Sequence, residues 1–159
     1  MKKPVLVLIL VAMAVFGVWR LRDRGSDVQA TDSSLVLDRV WIDHMPKNER
    51  DVSNFFLAIT EEPFGIFQAS SSWKGAYELF RYEAHGDEIR ILYPQTGDRE
   101  RVKTRARKCS ENGMDYCLEL DGSSHGVKRY YSRKGWEIDG TATLDEVRNR
   151  VDAINHSVE

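Results

Sequence analysis

From residue 35 to residue 133 the chain is cut into short runs of alternating or apolar residues, each ended by a turn signal. Eight runs stand out: Leu35–Ile42, Val52–Thr60, Phe64–Ser70, Lys74–Glu83, Glu88–Tyr93, Arg101–Lys108, Tyr116–Leu120 and Val127–Arg133. The breaks include Met45-Pro46-Lys47-Asn48, Glu61-Glu62-Pro63, Ala84-His85-Gly86-Asp87, Asn112-Gly113 and His125-Gly126. Short strands joined by turns bury a core by stacking as an antiparallel sandwich or by closing into a barrel. Val52–Thr60 has a second reading that starts as a helical turn, because Asp51 and Ser53 are cap residue types. The end of the chain is different. Thr143-Leu144-Asp145-Glu146 fits a capping box, and Leu144, Val147, Val151 and Ile154 follow at helical spacing. One amphipathic helix over 144–156 is expected to lay its apolar stripe on the sheet.

Eight meander strands followed by one helix resemble the lipocalin (calycin) architecture over residues 35–156. That resemblance implies an up-and-down eight-stranded barrel. It also implies a Trp on the first strand covered by an Arg from the last, positions taken here by Trp41 and Arg133. Arg39 stands where lipocalins carry Gly. The stretches Tyr77–Tyr82 and Gly126–Trp136 resemble a family of exported bacterial proteins, a likeness that implies export and supplies no activity.

Ahead of the body, Lys2 and Lys3 precede sixteen uncharged residues, Pro4–Trp19. As a helix these would extend about 24 Å, a little short of a ~30 Å hydrocarbon core. Leu21, with Arg20 and Arg22 snorkelling, completes a short span. Residues 1–21 read as a signal anchor, with a cleaved signal peptide as the alternative, and 22–34 as a polar linker to a body at 35–159. No Cys stands directly after the apolar run, so a lipoprotein is not expected. Basic residues flank both sides of the run, so the positive-inside rule leaves the orientation open. Cys109 and Cys117 decide it. They enclose a turn-rich stretch between two strand-like runs, a spacing suited to a cross-strand disulfide worth about 2.5 kcal/mol in the chain-entropy model. Disulfides belong to oxidising compartments. The body is therefore expected in the bacterial periplasm, tethered to the inner membrane, or secreted if the signal is cleaved.

The remaining composition excludes more than it names. Residues 31–159 hold 18 basic and 23 acidic residues, a net of −5, which gives no reason to expect nucleic acid. Two Cys cannot furnish a four-Cys zinc site, and His44, His85, His125 and His156 lack metal-ligand spacing, so turn or surface roles are expected for them. No Gly-rich phosphate loop, nucleophile elbow or C-x-x-C is present, so no catalytic residue, metal or cofactor is expected. Arg99, Arg101, Lys103, Arg105, Arg107 and Lys108 form a basic ladder with two open uses: a patch for anionic lipid, phosphate or polysaccharide, or a solvated salt ladder. Setting Cys109 opposite Cys117 places Arg107 against Glu119 and Arg105 against Asp121, which favours the salt ladder.

The interior is read from the Ala84–Asp87 hairpin. With Ala84 opposite Asp87, Tyr82 faces Ile89, Phe80 faces Ile91 and Glu78 faces Tyr93, and this more apolar face turns inward. On the last strand Val127, Arg129 and Tyr131 share a face taken to point inward too. Glu78, Phe80, Tyr82, Tyr93, Arg129 and Tyr131 are thus the expected ligand-binding set. Arg129 or a Tyr hydroxyl would partner the inward Glu78, which serves either as a polar plug or as the anchor of a pocket. The functional expectation is non-catalytic binding of an apolar or amphipathic small molecule or lipid; the alternative is a protein-interaction or structural module of a cell-envelope assembly that works through its outer surface. The tether has its own test. Full-length protein expressed with its first 21 residues is expected to stay in the membrane fraction after an alkaline wash; soluble material beginning at Thr31 would overturn the anchor.

Overall fold

Strand follows strand in chain order: β1 (Trp41–Ile42), β2 (Ser53–Ile59), β3 (Phe64–Ser70), β4 (Gly75–His85), β5 (Glu88–Leu92), β6 (Arg99–Lys108), β7 (Tyr116–Asp121) and β8 (Arg129–Ser132). Each pairs antiparallel with the next, and β8 returns to β1, closing the barrel. A short 3₁₀ helix (Ser33–Leu35) precedes the barrel, and a helix α1 (Leu144–Asn155) follows it. This is the expected eight-stranded, lipocalin-like barrel with one C-terminal helix. The structure is a computed structural model and describes residues 32–61, 63–72 and 74–157. The expected signal anchor, residues 1–21, lies outside the described residues, as do 22–31 of the linker. Among the described residues no helix is long and apolar enough to cross a membrane.

Period-2 alternation sorts the side chains into two cores. Along β6, Val102, Thr104 and Ala106 are buried while Arg101, Lys103 and Arg105 are exposed. Inward residues from all eight strands build one cluster, with Phe56, Phe67, Phe80 and Tyr130 at its centre. The Phe56–Phe67 and Phe67–Phe80 ring centroids are both 5.1 Å apart, in the tilted geometry that aromatic pairs favour. The second cluster lies outside the barrel. Val147, Val151 and Ile154 of α1 pack on outward residues of β1–β3 and β8, among them Ile42, Leu57, Ile66 and Tyr131. The capping box forms as read: the Glu146 amide donates to Thr143 Oγ1 at 3.3 Å, and the Thr143 amide donates to Glu146 Oε2 at 2.7 Å. At the other end of α1, Asn155 Nδ2 donates to Ser70 Oγ at 2.6 Å and holds the helix to the end of β3.

Four local expectations are corrected. The first strand is only Trp41–Ile42, not Leu35–Ile42. Asp38 takes a positive φ of 54° and accepts hydrogen bonds from the Thr60 amide and hydroxyl at 2.9 and 2.7 Å, which breaks the extended run. The linker also ends earlier, because the Asp32 amide bonds the Ala106 carbonyl and Ser33–Leu35 is helical. In the β4–β5 hairpin His85 faces Glu88, and Gly86, at φ 64°, opens a two-residue turn. Tyr82 therefore faces Ile91, and Arg90 faces Glu83, a register two residues from the one expected. In β6–β7 the disulfide is present, with S–S 2.05 Å and Cα–Cα 5.8 Å, but it runs diagonally. Cys109 bonds Asp115 across the hairpin, so Arg105 faces Glu119 and Lys103 faces Asp121. A slip of two keeps every side chain on its face, which is why the inside–outside assignment of these strands survives.

Gly65 marks the tightest approach inside the barrel. A Cβ there would meet the Phe80 ring at 2.1 Å and the Leu57 carbonyl oxygen at 2.5 Å. Gly65→Ala is expected to destabilise the fold by about 1–3 kcal/mol, the usual cost of overpacking. Combining it with Phe80→Leu is expected not to restore wild-type stability, because the backbone contact remains. Urea denaturation measures both; a neutral Gly65→Ala would show that the ring does not sit over that glycine.

Candidate functional site at the barrel mouth

In a meander every second connection shares an end. One end receives the 3₁₀ helix and the turns at 60–63, 86–87 and 109–115, and it is plugged. There Trp41 Nε1 donates to the Val36 carbonyl at 3.0 Å, and the Tyr82 hydroxyl donates to the Ile59 carbonyl at 2.7 Å. Burial, with Asp38 nearby, pushes the Tyr82 phenol up to about 12, so it stays a donor. Arg39 is buried beside this plug with its guanidinium 4.0 Å from the Tyr116 ring centroid. The Arg133 guanidinium lies over Trp136, 5.9 Å from its centroid, so the cover that the lipocalin pattern implied for Trp41 is not supplied by Arg133.

The other end gathers the connections at 43–52, 71–74, 93–98 and 122–128, and it is open. A cavity of about 440 Å³ enters the barrel here, lined by Asn54, Phe67, Ala69, Ala76, Glu78, Gln95, His125 and Tyr130 among others. Its width comes from Ala69 and Ala76, which face each other on β3 and β4. Its floor is the Phe67–Tyr130 level of the aromatic cluster. His125 reaches in from the β7–β8 loop and stacks on Phe67 at 3.9 Å between centroids. Its Nε2 lies 3.4 Å from Glu78 Oε2 but meets it at an angle that makes no hydrogen bond, and the atom is buried without a partner. Behind the ring, Glu100 accepts from the Tyr93 hydroxyl at 2.5 Å and from the Ser124 amide at 2.9 Å, which ties the loop to β6.

The electrostatics follow from burial. Desolvation is the largest influence on His125 and lowers its pKa, against the opposing pull of Glu78 and Glu100. Desolvation first, then the bond to Glu100, raises the Tyr93 phenol far above its ordinary value. The mouth thus holds a neutral imidazole, a neutral phenol and the carboxyl groups of Glu78 and Glu100.

Of the expected binding set, the structure brings Glu78 and Tyr93 to the mouth and puts Phe80 and Tyr82 in the fill beneath it. Arg129 and Tyr131 are corrected. Tyr130 is the inward residue of β8, so its neighbours point out: Arg129 bonds Glu119 at 3.2 Å on the outer wall, and Tyr131 sits in the cluster under α1. Glu78 therefore stands across from His125, with Oε2 3.4 Å from Nε2, and not beside Arg129. Sequence reasoning placed His125 in a turn and missed its role. The signal available was parity: the loop holding His125 opens on the same end as the β3–β4 turn, near Glu78. Glu111 lies beside Cys109 and Cys117 at metal-ligand distances, but bonded sulfurs offer no thiolate, and the carboxylate already takes Arg107 at 2.8 Å.

The architecture is that of a lipocalin-like β-barrel with a plugged base and an open polar mouth. No family model, curated protein or solved structure matches the chain. The likeness therefore rests on the barrel itself.

The His125 environment makes stability depend on pH. With its folded pKa below the unfolded value of about 6.5, the unfolded chain binds the extra proton. The stabilisation is full above that value and is lost as the pH falls towards the folded pKa. The melting temperature is expected to drop between about pH 7 and pH 5, and His125→Phe, which keeps the stack on Phe67, is expected to flatten that slope. Equal slopes in the two proteins would show that His125 does not drive it.

Proposed function

We propose that this protein is a non-catalytic binder of a small amphipathic molecule, held at the barrel mouth rather than along the barrel axis. The observation that carries this reading is the buried Nε2 of His125, which has no hydrogen-bond partner and stands across from the Glu78 carboxylate in an open cavity. An unsatisfied polar atom in such a place costs stability unless something bonds it. A ligand with an N–H donor or a cationic group satisfies Glu78 directly and leaves a neighbouring polar atom for His125. Its apolar body would rest on the aromatic floor between Ala69 and Ala76. A cavity of 440 Å³ is at the small end of ligand sites. The Phe56, Phe67 and Phe80 rings fill the barrel beneath it, where a long acyl chain would have to lie.

Proflavine, a planar aromatic cation, probes this chemistry. Its fluorescence is expected to saturate on titration with the full chain. Glu78→Gln is expected to weaken binding about tenfold, the equivalent of ~1.4 kcal/mol, and Ala76→Trp to abolish it by filling the mouth. Binding unchanged by both substitutions, or absent from the wild type, would count against the mouth and favour a structural module acting through its outer wall.

A further inference from the structure

The basic ladder of β6 divides in two once its neighbours are in place. At the far end Arg105 lies 3.7 Å from Glu119 and Arg107 lies 2.8 Å from Glu111, so these cations are paired. At the near end, Arg99 and Arg101 have no such carboxylate among the described residues, and neither has Arg81 on β4. The register sets Arg81 beside Leu92 and Leu92 beside Arg99, one strand apart each time. In the next row Arg90 stands directly opposite Arg101. These arginines and Leu92 line an open groove of about 640 Å³ on the outer wall. Two carboxylates share the face: Glu88, 3.1 Å from Arg90, and Glu83, opposite it. Four guanidiniums against two acids leave an excess of positive charge, and like charges directly opposed across strands destabilise a sheet. A bound anion removes that cost, and the guanidinium fork matches phosphate oxygens bidentately.

The position of the wall points to one source of phosphate. Helix α1 packs on β1–β3 and β8 and reaches the Tyr77–Leu79 stretch of β4, where Arg148 lies 5.6 Å from the Tyr77 ring centroid, while Arg81, Arg90, Arg99 and Arg101 are exposed. Leu92, only half-buried, sits among the arginines as an apolar centre. The chain also enters the fold on this flank: the Asp32 amide bonds the Ala106 carbonyl of β6. Ahead of Asp32, residues 20–31 follow the uncharged run Pro4–Trp19. Twelve residues extend up to roughly 40 Å, enough to lay the wall on a bilayer that holds the apolar run. We infer that Arg81, Arg90, Arg99 and Arg101 form a docking face for the anionic headgroups of that membrane, a surface separate from the mouth.

Arginine footprinting with phenylglyoxal, read by mass spectrometry, tests this on the full chain reconstituted in vesicles. Modification of Arg81, Arg99 and Arg101 is expected to slow at least fivefold in phosphatidylglycerol-containing vesicles relative to pure phosphatidylcholine. Arg148 and Arg150 on α1 serve as controls expected to be unchanged. The protection is expected to disappear in about 0.5 M salt, where the Debye length falls to a few Å. The double variant R99E/R101E, checked for its intact disulfide and circular dichroism, is expected to lose the protection of Arg81. Equal rates in the two lipids overturn the inference. So does protection by soluble polyphosphate where phosphatidylglycerol gives none, which would mark a site for a soluble anion instead.

Discussion

Everything in this fold depends on closing the barrel through a strand of two residues. β1 must bridge β2 and β8, and its ladder is limited to Trp41 with Phe56 and Ile42 with Phe55 and Tyr131. So short a seam would leave the edges of two longer strands exposed. The closure is extended by the segment after β8, which comes back alongside β1: Val40 bonds Trp136, Ile138 bonds Asp38, and Arg39 bridges Glu137. Arg39 fastens this junction. It is 5% exposed, donates to the Arg133 carbonyl at 3.0 Å and to Glu137 at 2.5 Å, and covers the Tyr116 ring. A buried guanidinium is tolerated only when its donors are met, and here the carboxylate, the carbonyl and the ring meet them together. Where lipocalins place Gly, this chain uses a cation to tie the segment before the first strand to the segment after the last.

Closure also decides how the interior is shared between fill and opening. Large rings on β2, β3, β4 and β8 meet at the middle of the barrel, and Gly65 makes room for Phe80. Above them Ala69 and Ala76 replace large side chains, so the barrel widens into the mouth. Burial then sets the chemistry of the groups that remain there, keeping His125 neutral and the Tyr93 phenol protonated beside Glu100. The same strands that bury these groups put their odd-numbered β6 neighbours outside. Mouth and arginine wall are thus two faces of one alternation.

Much of the fold was legible because it rests on periodicity. The turn signals at Pro63, Gly86 and Gly113, the capping box at Thr143 and the spacing of Cys109 and Cys117 are local features whose physics acts over a few residues. The inward face of β4 was legible as well, and it remained right although the hairpin register was two residues off, because a slip of two preserves parity. β8 went wrong by one residue, and one residue reverses the face: Arg129 and Tyr131 went out, Tyr130 came in. No signal within Val127–Arg133 separates these choices, since apolar and basic residues occupy both faces. Burial of Tyr131 under α1, far along the chain, makes the outer face of β8 apolar as well.

By itself the sequence determined the elements, their order and the antiparallel meander, because turn chemistry and period-2 patterning are enforced by neighbouring residues. It also determined the disulfide. Only the tertiary structure decided which residues share a site. Glu78 and His125 are 47 positions apart, and they meet because the circumference of the barrel brings the β7–β8 loop over the β4 wall. Arg81 and Arg99 flank Leu92 because of a register that the Gly86 turn sets. Such meetings depend on strand count, shear and closure, which belong to the whole barrel and to no segment of it.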